Sequence, residues 1–109
     1  PYMAVTYLAG QDSRIARAES WLRRNIDRKV TMEDLAAAAG LSPRTFARRL
    51  KAVCDMSPVR FAQRIRAEVA LTLRRTTQLP VDEIARRVGY AEPSTLRRLL
   101  RRDQRVLPQ

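Results

Sequence analysis

The sequence predicts an all-α fold: two helix-turn-helix subdomains joined by a long central helix, about six to seven helices in all. Three observations carry that expectation. Ala, Leu and Arg, all strong helix formers, dominate segments that only three glycines and six prolines interrupt. Apolar residues recur at spacings of three and four, and alternating β-branched runs are absent. Two stretches 49 to 50 residues apart repeat one pattern of helix, glycine and basic helix. A hydrophobic content of 45% suffices for a packed core in one domain, or in two small ones sharing a helix.

Residues 1–12, PYMAVTYLAGQD, read as a linker or the tail of a preceding domain. Helix one is expected from Ser13, as N-cap, to about Arg28. Its Ile15, Ala18, Leu22 and Ile26 share a face, with Trp21 bordering it as a core residue. Thr31 opens the next helix, 32–39, and pairs with Asp34 in a capping box, although Asp is shorter than the usual Glu. Gly40 suits the left-handed position that closes a helix. Ser42-Pro43 restarts the chain as N-cap and first-turn proline of a helix over 43–54, with Cys54 as a small half-buried residue.

Asp55-Met56-Ser57-Pro58 repeats the cap-and-proline start for the longest helix, 58–76. There Phe61, Ile65, Val69 and Leu73 form a ridge with Ala62 and Leu71 beside it, leaving the remaining faces to Arg60, Arg64, Arg66, Arg74 and Arg75. A fifth helix over 81–88 follows Leu79-Pro80 and closes at Gly89. A sixth starts at Glu92 or Pro93 and runs to about Asp103. The expected units are 13–57 and 77–109 as the two helix-turn-helix subdomains, with 58–76 as the connecting helix.

The repeat is the decisive internal feature. Leu35-Ala36 and Gly40-Leu41 match Ile84-Ala85 and Gly89-Tyr90 at an offset of 49. Pro43, Thr45, Phe46, Arg48 and Leu50 then match Pro93, Thr95, Leu96, Arg98 and Leu100 at an offset of 50, so the second turn holds one extra residue. In a helix-turn-helix the two helices cross steeply, which asks for a small residue at the crossing (Ala36, Ala85) and a glycine where the chain reverses. Phe46/Leu50 and Leu96/Leu100 would anchor each second helix on the core. The opposite face then points outward with Arg44, Thr45 and Arg48 in one copy and Ser94, Thr95 and Arg98 in the other. Such a helix fits a DNA major groove, where Arg binds guanine O6 and N7 together.

Charge agrees with that reading. Twenty-two Lys/Arg against eleven Asp/Glu give a net +11, and Arg outnumbers Lys twenty to two, which favours bidentate contact with phosphate or base edges. One cysteine and no histidine exclude an internal disulfide, the usual Cys/His zinc sites and Ser-His or Cys-His catalysis. With no glycine-rich phosphate loop either, an enzyme is the least favoured class. No apolar run approaches the roughly 18 residues of a membrane span, and no signal peptide is visible. The chain starts at Pro1, so a fragment of a longer protein in a reduced, cytoplasmic setting is expected.

These residues resemble the AraC/XylS family of bacterial transcription regulators, over about residues 13–108. The resemblance is carried by LAAAAGLSPRTFARRLK, MSPVRFAQRIRAEVAL and VDEIARRVGYAEPSTLRRLLRR. SPRTFARRLK with QRIRAEVA looks most like a subgroup in which an amidotransferase-like domain precedes, making PYMAVTYLAG the junction with that missing domain. The family's roles carried across give Arg44, Thr45 and Arg48, then Ser94, Thr95 and Arg98, as base contacts. Arg49, Lys51, Arg97 and Arg101, with the helix N-termini at Thr31 and Ser42, are the phosphate contacts. Ser94 and Thr95 also suit capping or phosphate contact, and Arg44 also suits stacking on a sugar.

The resemblance implies double-stranded DNA as partner, no cofactor, no metal and no membrane. It leaves open RNA polymerase as a further partner, and an N-terminal sensor domain that binds an effector or dimerises. The chain departs from the family where Gly commonly follows each basic helix (here Asp55 and Arg105), where Phe is common (here Leu50 and Leu100), and in lacking an aromatic-Arg ending after Pro108. The second unit is the more degenerate and is expected to hold DNA less intimately. Two rival classes stand beside this reading. A nonspecific basic nucleic-acid binder fits the charge but not the duplicated turn. A membrane-surface or partner-binding module needs a free amphipathic helix, whereas every apolar stripe here has a core to fill.

Overall fold

Residues 12–104 are described by a computed structural model as six helices: α1 (Ser13–Arg24), α2 (Met32–Ala39), α3 (Pro43–Cys54), α4 (Pro58–Thr76), α5 (Val81–Arg87) and α6 (Pro93–Gln104). Helices α2, α3 and α4 have the expected bounds; α1 differs at both ends. Its N-cap is Asp12 rather than Ser13, with the carboxylate accepting the N–H groups of Arg14 (2.9 Å) and Ile15 (3.3 Å). It stops at Arg24 rather than Arg28 because Asn25 caps it, donating its side-chain amide to the Trp21 carbonyl at 2.8 Å. The chain beyond has left the helix, and the Ile26 and Arg28 carbonyls are free to accept from elsewhere. Trp21 is half-buried on the core, and the Arg28 guanidinium lies over its ring, 5.5 Å from the centroid.

Both predicted turns close by the same hydrogen bonds. In the first, Gly40 sits at φ 73°, its N–H donates to Ala37, and Leu41 N–H donates to Ala36. In the second, Gly89 sits at φ 91°, its N–H donates to Arg86, and Tyr90 N–H donates to Ala85. This is the Schellman pattern, which satisfies carbonyls the helix end would orphan. Helix α5 therefore ends at Arg87, with Val88 as its cap, one residue short of the expected 81–88. Ala36 and Ala85 are both fully buried, as the helix crossing requires. The capping box at Thr31 and Asp34 forms in both directions, and Ser42 and Ser57 cap α3 and α4 ahead of their prolines. Asp55 holds a left-handed φ of 56° at the end of α3, so the turn keeps its geometry without glycine.

Two apolar clusters fill the interior, and α4 belongs to both. Ile15, Leu22, Leu35, Phe46, Leu50, Phe61 and Ile65 form the first, with Phe46 and Phe61 edge to face at 6.2 Å. Ala67, Ala70, Ile84, Val88, Leu96 and Leu100 form the second. Each large side chain so removed from water contributes about 1.5–3 kcal/mol. Within the ridge of α4, Phe61 and Ile65 are buried while Val69 and Leu73 are half-buried against the second cluster. Cys54 is buried rather than half-buried. Arg64 and Arg66 correct the sequence expectation most: at 5% and 8% exposure they lie inside rather than on an open face. Ion pairing adds to the seam between α1 and α4, where Arg23 bridges the buried Glu19 (2.8 Å) and Glu68 (3.0 Å).

The two turn glycines differ in what surrounds them. A Cβ on Gly40 would meet Arg14 Nη1 at an ordinary 3.5 Å, so Gly40→Ala is expected to cost only the left-handed strain, about 1–2 kcal/mol. A Cβ on Gly89 would fall 2.0 Å from Arg66 Nη1 and 2.6 Å from the Ile26 carbonyl oxygen. Urea unfolding should therefore rank Gly89→Ala as the more damaging by at least about 1 kcal/mol, since overpacking adds to strain.

Candidate nucleic-acid interface

Helices α3 and α6 are the second helices of the two turns, and each is anchored by one apolar face. Phe46, Leu50 and Cys54 bury that face in α3; Leu96, Leu99 and Leu100 do so in α6. At roughly 3.6 residues per turn, the direction opposite the core holds Arg44, Arg48 and Lys51 in α3, and Ser94, Arg98 and Arg101 in α6. All six are exposed. Thr45 and Thr95 are half-buried. The Thr45 N–H donates to Ser42 Oγ at 3.2 Å, and the two hydroxyls bond at 3.0 Å, so the Thr45 hydroxyl is engaged in the cap of α3.

The expected phosphate contacts fall into distinct situations. Arg49 is exposed and pairs with Asp12 at 2.6 Å, Lys51 pairs with Asp55 at 2.6 Å, and Arg97 pairs with Asp82 at 3.2 Å. By contrast Arg44, Arg48, Arg98 and Arg101 form no ion pair among the described residues, and Arg48 and Arg98 sit at equivalent outward places in the two copies. Surface pairs of this kind are worth about 0–1 kcal/mol and exchange readily for a phosphate. Thr31 is spent in its capping box, and Glu33 and Asp34 occupy the first turn of α2, which makes that end repel phosphate. Helix α3 has no acidic residue in its first turn, so its N-terminus at Ser42 keeps its attraction for anions.

Sequence reasoning missed one cation of this surface. Arg74, at the end of α4, lines a groove of about 250 Å³ with Val81, Arg97, Leu100 and Arg101. Its place in the last turn of a long helix was legible; its approach to α6 was not. Arg105 and the segment after Pro108 lie outside the described residues, as does most of the expected linker.

What the geometry defines is a DNA-binding domain of the duplicated helix-turn-helix kind, with one central helix serving both units. A family described as helix-turn-helix domain matches residues 35–109. The DNA-binding domain of AdpA, a global transcriptional factor solved in complex with a target DNA, is 32% identical, with 82% of this chain and 80% of that one covered and a TM-score of 0.73. The C-terminal domain of AraT, a response regulator from Geobacillus stearothermophilus, is 28% identical over 85% of this chain and 78% of that one, at a TM-score of 0.73. An AraC-type transcriptional regulator from Chromobacterium violaceum shares the fold at 22% identity and a TM-score of 0.81, covering 92% of this chain and 89% of that one. No curated protein sequence matches the chain. The chain belongs to the AraC-type helix-turn-helix family, whose members are sequence-specific DNA-binding transcription regulators and not enzymes.

Three carboxylates near this surface titrate low. Burial would raise the Asp12 carboxyl, but the Arg49 side chain and the N–H groups of Ile15 and Arg14 outweigh it and hold it below the usual range. The Thr31 N–H lowers Asp34, and Lys51 lowers Asp55. Their folded pKa values lie below the unfolded value of about 3.9, so their stabilisation is complete above that pH and is lost as pH falls through the folded values. The urea midpoint should stay level from about pH 8 to 5, since the chain has no histidine, then drop below about pH 4. Asp12→Asn should flatten part of that drop.

Proposed function

We propose that the chain holds duplex DNA by placing α3 and α6 in successive major grooves on one face of the helix, as the DNA-binding portion of a bacterial transcription regulator. The observation that carries this reading is that each second helix turns outward two arginines with no ion pair among the described residues, Arg44 and Arg48 on α3 and Arg98 and Arg101 on α6, of which Arg48 and Arg98 are equivalent. Arg48 and Arg98, at equivalent positions, are assigned to guanine O6/N7, with Arg44, Thr45, Ser94 and Thr95 as the other base-edge contacts. Lys51, Arg49, Arg97, Arg101 and the Ser42 helix end are assigned to phosphates, together with Arg74. Thr31 is the weakest of the original phosphate candidates.

A two-groove grip needs the two helices about one turn of B-DNA apart, about 34 Å, and the body's longest dimension, 38 Å, has room for that. Because α4 joins the units as one unbroken 19-residue helix, a straight site must bend to meet both, or α6 must sit loosely. The units assigned are 13–57 and 77–109, joined by 58–76. A preceding sensor domain, amidotransferase-like in the nearest-looking subgroup, would bind an effector or dimerise the protein, and RNA polymerase is the second partner in the same proposal. That AraT carries its domain at the C-terminus of a response regulator supports such an arrangement. The setting proposed is cytoplasmic; among the described residues no helix is long and apolar enough to cross a membrane.

Selection from a random DNA pool at stated salt should return two short motifs about one turn apart. On that site, Arg48→Ala should cost about 1–3 kcal/mol and relax preference at one base pair. Lys51→Ala should weaken all sequences alike and lower the salt slope by about one. Equal losses for both variants on selected and random DNA would refute the assignment, and a uniform grip on every duplex would mean a nonspecific binder.

A further inference from the structure

Helices α5 and α6 pack on α4 and on each other but on none of α1, α2 and α3. The second unit is thus mounted on one helix. A single axial support leaves it free to rock and slide unless something off that axis holds it. Two residues do. Ile26, in the loop after α1, is the one half-buried apolar residue among the described residues that packs against both clusters. Arg66, midway along α4, makes the polar bond between them: its Nη1 donates to the carbonyls of Ile26 in the first unit and Val88 in the second, each at 2.5 Å. Its Nη2 donates to Arg28 in the first unit at 3.2 Å.

The surroundings are shaped for this bond. Gly89 leaves the space that Nη1 occupies, and the Tyr90 ring lies 5.9 Å from the guanidinium carbon. The repeat sharpens the point. In the first unit Arg14, from the helix preceding α2, donates to the Gly40 carbonyl at 3.1 Å, so each unit has an arginine holding its turn. Of these two arginines, Arg66 also reaches across to the other unit. Its planar fork has several donors at fixed angles, so carbonyls from two units can be satisfied together in one relative placement of those units.

We infer that Arg66 is a positioning residue for recognition: it fixes the orientation of α6 relative to α3, and through it the spacing at which two DNA half-sites are accepted. The inference rests on the two-groove reading. Loosening this bond should therefore leave each half-site contact intact while broadening the spacings tolerated.

The test uses the selected site and versions with one or two base pairs added between its arms, two pairs turning the second arm by about 70°. Wild type is expected to favour its best spacing about tenfold or more over the two-pair insertion. Arg66→Met should narrow that ratio to about two- or threefold, with half-site affinity within about twofold of wild type. Arg66→Lys, which cannot reproduce the fork, should fall nearer Met than wild type. A variant that is folded by circular dichroism and keeps the wild-type ratio would overturn the inference. So would an equal loss on half-sites and full sites. Should wild type itself show no spacing preference, the two-groove reading fails instead. Residual dipolar couplings on the DNA-free wild-type chain decide the matter if Arg66→Met does not fold: residues 13–57 and 81–104 must share one alignment tensor, and separate tensors would refute a fixed orientation.

Discussion

The hydrogen bond from the residue after each turn glycine back to a buried alanine organises the whole molecule. Leu41 to Ala36 and Tyr90 to Ala85 are the same bond, made twice. It needs a left-handed residue between donor and acceptor, which is why glycine stands at 40 and 89. It also ends the first helix so abruptly that the second must cross it, and the alanine lets the two backbones close. Serine-proline at 42–43 then restarts the chain within two residues of the glycine in the first unit; the second restarts at Pro93, one residue later. The outward direction of Arg44 and Arg48 on α3 and of Arg98 and Arg101 on α6 follows from this local geometry and from the leucines and phenylalanine that pin the other face.

That geometry also divides a large positive charge into parts with different work. A net +11 reads from the sequence as one basic surface. In the fold, Arg14 and Arg66 are spent on main-chain carbonyls, Arg23 on two glutamates, and Arg86 and Arg87 on Glu83. Arg49 and Arg97 are tied to aspartates at the margins of the interface. Arg44, Arg48, Arg98 and Arg101 keep their full charge toward solvent. The charge left without a carboxylate or carbonyl partner among the described residues is accordingly smaller than the total, and α3 and α6 each carry two such arginines outward.

Most of the architecture was legible because short-range chemistry wrote it. Caps at Thr31, Ser42 and Ser57, prolines at 43 and 58, and glycines at 40 and 89 act within one turn of themselves, and the boundaries they imply are the ones found. The misses arise where a distant partner outweighs the local pattern. Periodicity through Ile26 extends α1, but Asn25 caps it first and the carbonyls beyond it go to Arg66, forty residues away. An arginine on a helix surface reads as solvated, and nothing near Arg66 in the sequence announces that its partners lie in two loops. Asp55 was legible as a departure from glycine, yet a single left-handed aspartate costs little enough for the helix closure to override it.

The duplication is unequal in how each copy is supported. The first unit owns α1, a fully capped α2 and an α3 with a serine cap, and its Phe46 packs on Phe61 of α4. The second has a seven-residue α5 that starts at Pro80 without a side-chain cap, and it borrows α4 as its leading helix. A seven-residue helix is far too short to persist alone, so α5 and α6 exist only against α4. Helix α4 is in turn held at its N-terminal half by the first core, through Phe61 and Ile65. Order therefore propagates from the first unit to the second. Under the proposed two-groove grip, the more degenerate second helix is also the one whose position is set from outside its own unit, so the contacts joining the units would bear on DNA reading alongside the residues proposed to face the bases.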